Sequence, residues 1–354
     1  MIGVLLKWFV LILSGGILIV GLSPTLQRSL DRKGLIPNQY DHGDLYNITN
    51  LPAFREDNFA ANADLANADL PKQHYPAVHL YTIGDSFTDI DTSYYAGGRN
   101  VHVWVGHDHP TIAPLDTTKK NILVIEFIER VLQERLYTPD FERMYVQNGI
   151  VQTTPKSVKP PKTVQEEKAN DWIFAHFGPE INQRLEFILF NSRFFSWLKE
   201  RKAQLMLSAF GRVTGAVISS DRRHLFYTPE ADSSYILSAF RSISDRKLDT
   251  LVTNLNTVRR HYLRMGFDEV YVCLIPNKVT VQEPTYGRYN HQIERIETNS
   301  HLEAPLISTI DTLRQHPEWY HLGDGHWNKQ GKRFWLRHIN ELVAKWASKP
   351  KKHP

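Results

Sequence analysis

The sequence predicts an α/β fold built on a parallel sheet, and three stretches predict it. The extended run Val78-His79-Leu80-Tyr81-Thr82-Ile83 ends in Gly84-Asp85-Ser86, a strand that delivers a serine to its carboxyl end. Ile122-Leu123-Val124-Ile125 is a continuous apolar run, the pattern of a strand covered on both faces. Leu248, Leu251, Val252, Leu255, Val258 and Tyr262 form one helical stripe over Lys247 to Met265, Gly266 stops that helix, and a strand from Glu269 to Ile275 follows. A helix followed by a strand in this order suggests a parallel crossover.

Residues 2–22 carry one charge, Lys7, and are long and apolar enough to cross a bilayer. Pro24 stands where processing would fall, so they read as an uncleaved anchor rather than a signal peptide. Residues 23–77 are polar and turn-rich and read as a stalk wrapping onto the domain. Ala61-Asn62-Ala63-Asp64-Leu65 repeats at once as Ala66-Asn67-Ala68-Asp69-Leu70, but two copies are too few for a repeat architecture. The α/β domain is expected over 78–346, with a strand in the alternating run Val101 to Val105.

Residues 151–165 hold three prolines and three lysines and read as a loop or linker opening an insertion at about 151–246. Ile181, Leu185, Ile188, Leu189, Phe195 and Leu198 then recur near a helical period, with Arg184, Arg193, Lys199, Arg201 and Lys202 on the other face. Phe190, Phe194 and Trp197 make this stretch unusually aromatic. It is expected to pack on the main domain as an insertion or lid, with membrane-surface contact as the second reading. Asp221 to Tyr227 reads as a turn and short strand, and Ala304 to Leu313 as another short strand. A helix from Lys332 to Trp346 closes the domain, and 347–354 form a basic tail.

The chemistry is sought at the carboxyl ends of the strands, where open α/β sheets bind their ligands. Gly84 permits a tight turn, and a helix after Ser86 would place its positive end at the serine. A serine needs a base before it can act as a nucleophile. His321-Leu322-Gly323-Asp324-Gly325-His326-Trp327-Asn328 supplies an Asp and a His two residues apart. One loop can present both, Asp324 orienting the imidazole of His326 and His326 taking the proton of Ser86. Glu126 and Arg130 are expected to pair across one helical turn, a substrate-facing Arg130 being the alternative. Tyr286-Gly287-Arg288-Tyr289-Asn290 is an aromatic-basic loop in which Tyr286 and Tyr289 either stack on a sugar ring or pack internally.

Gly84-Asp85-Ser86-Phe87 resembles the first block of the SGNH (GDSL-like) hydrolases. Asp324-Gly325-His326-Trp327-Asn328 resembles the Asp-x-His-Trp-Asn motif of the SGNH-like alginate O-acetyltransferases and related cell-envelope polysaccharide acetylation proteins. Val124 to Arg130 is similar to their strand ending in Glu-x-x-Glu-Arg. The resemblance covers about 78–136 and 268–346. Two departures stand out: the serine precedes the Asp-His pair, and the Gly-x-Asn-Asp block of ordinary SGNH enzymes is not found. The resemblance implies a three-layer α/β domain outside the cytoplasm, on the periplasmic side of the inner membrane. It also implies a Gly97 or Gly98 amide completing an oxyanion hole with that of Ser86, and acetyl transfer from an acyl donor to a polysaccharide hydroxyl. No cofactor is implied; a multi-spanning membrane acyltransferase is the implied partner.

Other classes remain open from the residues. An esterase would use the same three side chains with water as acceptor, and a polysaccharide-binding scaffold would leave them loose. His107, Asp108 and His109 could be taken for metal ligands, but their spacing matches no zinc signature, and no metal is expected. The 354 residues are 42% apolar and 23% charged, a globular composition with room for one large domain or two. The net charge of +4 has no nucleic-acid motif beside it. Cys273 is the one cysteine, so no internal disulfide forms, and its apolar run marks it as a core residue.

Overall fold

Strands β1 (Tyr75–Gly84), β2 (Gly97–Trp104), β3 (Lys120–Ile128), β4 (Glu269–Ile275) and β5 (Leu306–Ser308) pair in parallel as a five-stranded sheet in the order 2-1-3-4-5. The computed structural model describes residues 2–33, 35, 43, 45, 48–106, 109–138, 140–152, 181–190 and 193–350. Most of the linker expected at 151–165, and residues 351–354 of the tail, lie outside the described residues. The strand order reverses between β1 and β3, so the loops after these two strands diverge and leave a crevice, the usual ligand site of an open α/β sheet.

Both faces of the sheet are covered, which is why its strands are apolar without a break. Tyr81, Ile83, Leu123, Ile125, Val270 and Val272 point to one side, against α1 (Glu129–Leu136) and α2 (Asp245–Met265). Leu80, Ile122, Val124, Cys273 and Ile275 point to the other, against Phe334, Trp335, Ile339 and Val343 of α3 (Lys329–Ser348). These are three layers, helix on sheet on helix. Cys273 is a buried free thiol, as its run suggested. Helix α2 starts on the side chain of Ser244, which accepts from Lys247 N, and ends at Gly266, whose φ of 111° suits a residue without Cβ. Helix α3 starts three residues before the expected Lys332, because Asn328 accepts from the amides of Gln330 and Gly331.

Residue contacts divide the chain into two units, Glu56–Pro155 with Gly215–Pro354, and Met1–Arg55 with Lys156–Thr214. The first is the α/β unit. The stalk expected over 23–77 splits: its second part belongs to this unit, where Asp69 takes the Arg333 guanidinium and the Ala63 carbonyl takes the Lys332 ammonium. The expected insertion also splits. Ala216–Ile218 and Leu225–Tyr227 form an antiparallel ribbon that stays with the α/β unit, since Phe226, Ala239 and Phe240 bury against Val279 and Tyr289.

The second unit is helical. Ile2–Leu22 is one helix, long and apolar enough to cross a membrane, with its side chains exposed. Pro24–Arg32 is a second helix where turns were expected; Ser23 Oγ accepts from Leu26 N and Pro24 occupies its first turn. The aromatic stretch forms two helices, Ile181–Phe190 and Arg193–Phe210. They group with the amino-terminal helix, and Arg184 Nε donates to the Gly21 carbonyl at 2.7 Å.

Leu251 is fully buried between α2 and the sheet. Leu251→Ala should lower the unfolding free energy by about 2–5 kcal/mol, read from denaturant midpoints at unchanged slope.

Candidate active site

Ser86 follows β1 by two residues, and the turn that carries it is built on a buried carboxylate. Glu126 Oε2 accepts from the Asp85 amide at 3.0 Å and from Thr88 Oγ1 at 3.2 Å. A Cβ on Gly84 would stand 2.1 Å from Thr88 Oγ1 and 2.6 Å from Glu126 Oε2, so the glycine is required by close approach. Asp85 Oδ1 accepts from the Phe87 amide at 3.2 Å, and its other oxygen lies 3.6 Å from Arg135 Nη1. Ser86 is left at the apex of a single turn, Thr88 N and Asp89 N both bonding Asp85 O, rather than at the start of a helix. A helix dipole therefore does not act on it. The Ser86 amide has no acceptor among the described residues.

The second stretch is a loop pinned at both ends. Tyr320 and Trp327 bridge in antiparallel fashion, and His321 N donates to His326 O at 3.1 Å. Inside the loop, Asp324 Oδ1 accepts from the His326 amide at 2.7 Å and meets His326 Nδ1 at 2.6 Å. Across the crevice, His326 Nε2 lies 2.6 Å from Ser86 Oγ. Ser86, His326 and Asp324 thus form one chain of contacts although 240 residues separate the serine from the histidine. Phe87 packs on the imidazole at 4.9 Å between ring centroids and edge-on to Trp327 at 5.3 Å. Asp324 is nearly buried, while a quarter of the His326 side chain is exposed.

Three further groups hold that loop. The ammonium of Lys278, itself buried, donates to the carbonyls of Leu322 at 2.6 Å, Leu225 at 3.0 Å and Asp324 at 3.3 Å. Glu56 Oε2 meets His321 Nδ1 at 2.8 Å and accepts from Leu322 N. The charge of Lys278 is felt nearby: burial first, then this cation, pushes His224 down to about 4. Neither Lys278 nor Glu56 was singled out from the sequence for the site. Lys278 lies three residues beyond the end of β4.

The other expected site residues divide. Arg130 reaches the site: its guanidinium carbon lies 5.7 Å above the Phe87 ring, and Nη1 lies 3.9 Å from where a Cβ on Gly325 would stand. It pairs with Glu230 at 2.7 Å instead of Glu126. The expected turn-to-turn pair fails because Glu126 still belongs to β3 and the helix begins only at Glu129. Tyr289 is buried, its hydroxyl donating to Glu294 at 2.8 Å with Glu129 Oε1 3.1 Å away, so its ring does not serve as a sugar platform. Tyr286 is exposed and leans on Phe226 and Phe240.

Gly97 and Gly98 lie at the wrong end of the sheet. Gly97 pairs with Tyr75 at the start of β1, whereas Ser86 follows Gly84 at its end, about 30 Å away at the rise of a strand. The glycine at the correct edge is Gly106, with φ 94°, just after Val105, whose amide donates to the Gly84 carbonyl at 2.8 Å. Being the first glycine beyond the β2 run was its only signal in the sequence. His107 and Asp108 lie outside the described residues, and among the described residues no cluster could hold a metal ion.

Past Ser86 the chain lines an open, mostly polar cleft of about 420 Å³, with Asp64, Asp89, Asp91, Tyr94 and Lys332 among its walls.

Burial pushes two carboxyls up: Glu126 to about 8, helped by the charge of Asp85, and Glu129 to about 7. Each then keeps its proton in the native state after the unfolded chain has lost it near 4.5. Stability should therefore fall as pH rises from about 4.5 toward 8, and Glu126→Gln should flatten that slope in thermal unfolding followed against pH. Lys278→Met leaves buried carbonyls without a donor; it should cost about 1–3 kcal/mol and speed amide hydrogen exchange across residues 321–326.

Compared with known proteins, the chain matches no family model, and no curated protein or solved structure matches it significantly.

Proposed function

We propose that the protein is a membrane-anchored serine acyltransferase of SGNH type that O-acetylates a cell-envelope or exported polysaccharide. The single observation that carries this reading is the chain of short contacts from Ser86 Oγ through His326 to Asp324. The motif resemblance of Gly84 to Phe87 and of Asp324 to Asn328 supports it. The amino-terminal helix supports a single-pass anchor, and the resemblance implies the inner membrane with the α/β unit on the periplasmic side.

In the first half-reaction Ser86 Oγ attacks the acyl carbonyl of the donor while His326 Nε2 takes the serine proton. The Ser86 amide, with that of Gly106 as the second donor, holds the oxyanion. Collapse breaks the bond to the donor's leaving group, which departs with the proton from His326 and leaves acyl-Ser86. In the second half a sugar hydroxyl gives its proton to His326 and attacks the acyl-enzyme, and Ser86 is expelled and reprotonated. Asp324 keeps the imidazole in the tautomer and orientation that both halves need. Arg130, at the rim of the site, is placed to meet the acceptor or the donor. A multi-spanning membrane acyltransferase would supply the acyl group.

The test is acetyl transfer from a chromogenic ester to an oligosaccharide, with free acetate measured in parallel and labelling by a fluorophosphonate. Ser86→Ala and His326→Ala should each lose on the order of 10⁶-fold in turnover and Asp324→Ala on the order of 10⁴-fold, with the folds intact. Acetate without acetylated sugar would make the protein an esterase. Undiminished turnover in a folded Ser86→Ala protein, or a wild-type serine that resists the label, would leave the scaffold reading.

A further inference from the structure

Helix Arg193–Phe210 has its apolar side on the outside. Phe195, Trp197, Leu198 and Leu205 are 43, 50, 43 and 61% exposed, while Leu207 on the opposite side is buried. At 100° per residue Phe195, Leu198 and Leu205 fall within one narrow stripe, and Lys202 lies in that stripe with Arg201 beside it. The Arg201 guanidinium lies 5.7 Å above the Trp197 ring. A helix facing water places such residues the other way round. Aromatic and aliphatic side chains interleaved with long basic ones make up a surface for the boundary of a lipid bilayer, where the rings enter the acyl region and the cations reach up to phosphate.

The neighbouring helix shows where that boundary lies. Helix Ile2–Leu22 has 21 residues, about 31 Å at the helical rise, so Gly21 falls where a spanning helix leaves the hydrocarbon core. At that point Ile181–Phe190 is fastened to it: Arg184 Nε donates to Gly21 O at 2.7 Å, and a Cβ on Gly21 would stand 2.5 Å from Leu185 Cδ2. Leu189 and Phe190 are exposed on this helix as well, and a groove of about 520 Å³ is lined by Leu185, Leu189, Phe190 and, from the next helix, Lys199.

We propose that helices Ile181–Phe190 and Arg193–Phe210 lie in the headgroup layer of the bilayer that the amino-terminal helix crosses, with Phe195, Trp197, Leu198 and Leu205 in the acyl boundary and Arg201 and Lys202 on lipid phosphate. The inference rests on Ile2–Leu22 spanning the membrane, and it gives the inserted segment a task distinct from the acyl chemistry. The surface is continuous with the exit of the spanning helix and carries cations among its apolar groups, which favours lipid over a second copy of the chain.

The experiment uses the full chain in vesicles of phosphatidylcholine and phosphatidylglycerol. Leu198→Cys and Leu205→Cys are labelled with an environment-sensitive fluorophore; native Cys273 is fully buried, and burial pushes its thiol up, so it stays unlabelled. Leu13→Cys reports the anchor, and Arg337→Cys, exposed on the α/β unit, reports water. Labels at 198 and 205 should shift to the blue and be quenched several-fold more by a nitroxide high on the acyl chain than by a deep one, with the order reversed at 13 and no quenching at 337. Aqueous labels at 198 and 205 beside a quenched label at 13 would overturn this inference and leave the anchor standing. A blue shift without lipid quenching would assign the surface to protein and also overturn it. An unquenched label at 13 would remove the anchor and this inference with it.

Discussion

The site depends on one buried cation. The loop from Tyr320 to Trp327 turns backbone carbonyls inward near the carboxyl edge of the sheet, where water does not reach them. Lys278 reaches Leu322, Asp324 and Leu225 together and so joins the loop, the ribbon and the end of β4 in one set of charge-assisted bonds. Desolvating an ammonium is costly, and the cost is met only while all of these acceptors are in place. The loop has therefore one low-energy arrangement, and in that arrangement the His326 ring stands 2.6 Å from both Ser86 Oγ and Asp324 Oδ1. Glu56 adds a second clamp from the other side through His321.

The serine is held by the complementary device. Glu126 places a carboxyl under the β1 turn, and Gly84 leaves the space that lets Thr88 and Asp85 close on it. One half of the site is organised by a buried lysine among carbonyls, the other by a buried glutamate among an amide and a hydroxyl. Glu126 is also raised by the neighbouring charge of Asp85, so this half couples the stability of the serine turn to proton uptake.

Fold and site were legible to different degrees. The parallel strands showed as unbroken apolar runs because both faces are covered, and α2 showed as a stripe ended by Gly266. Ser86, Asp324 and His326 were legible because each sits in a short local motif. Gly97 and Gly98 were misplaced because the resemblance carries no strand register, and the Glu126–Arg130 pair because nearness in sequence was read as nearness in space. Along β2 the eight residues from Gly97 to Trp104 span the sheet from one edge to the other. Tyr289 could be read either as a platform or as a packed residue, and the second holds because its hydroxyl meets Glu294, five residues on, and Glu129, 160 residues away.

The sequence by itself determined the α/β class, the long apolar amino-terminal helix, the core role of Cys273 and the three residues that meet in the crevice, since each follows from periodicity or from residues adjacent in the chain. Only the tertiary structure decided which glycine lies at the serine's end of the sheet, which cation holds the His326 loop, what Arg130 pairs with and which helices the inserted segment joins. Those outcomes depend on strand register and on charges such as Lys278 and Arg130 finding partners 44 to 100 residues away, and no local pattern encodes either.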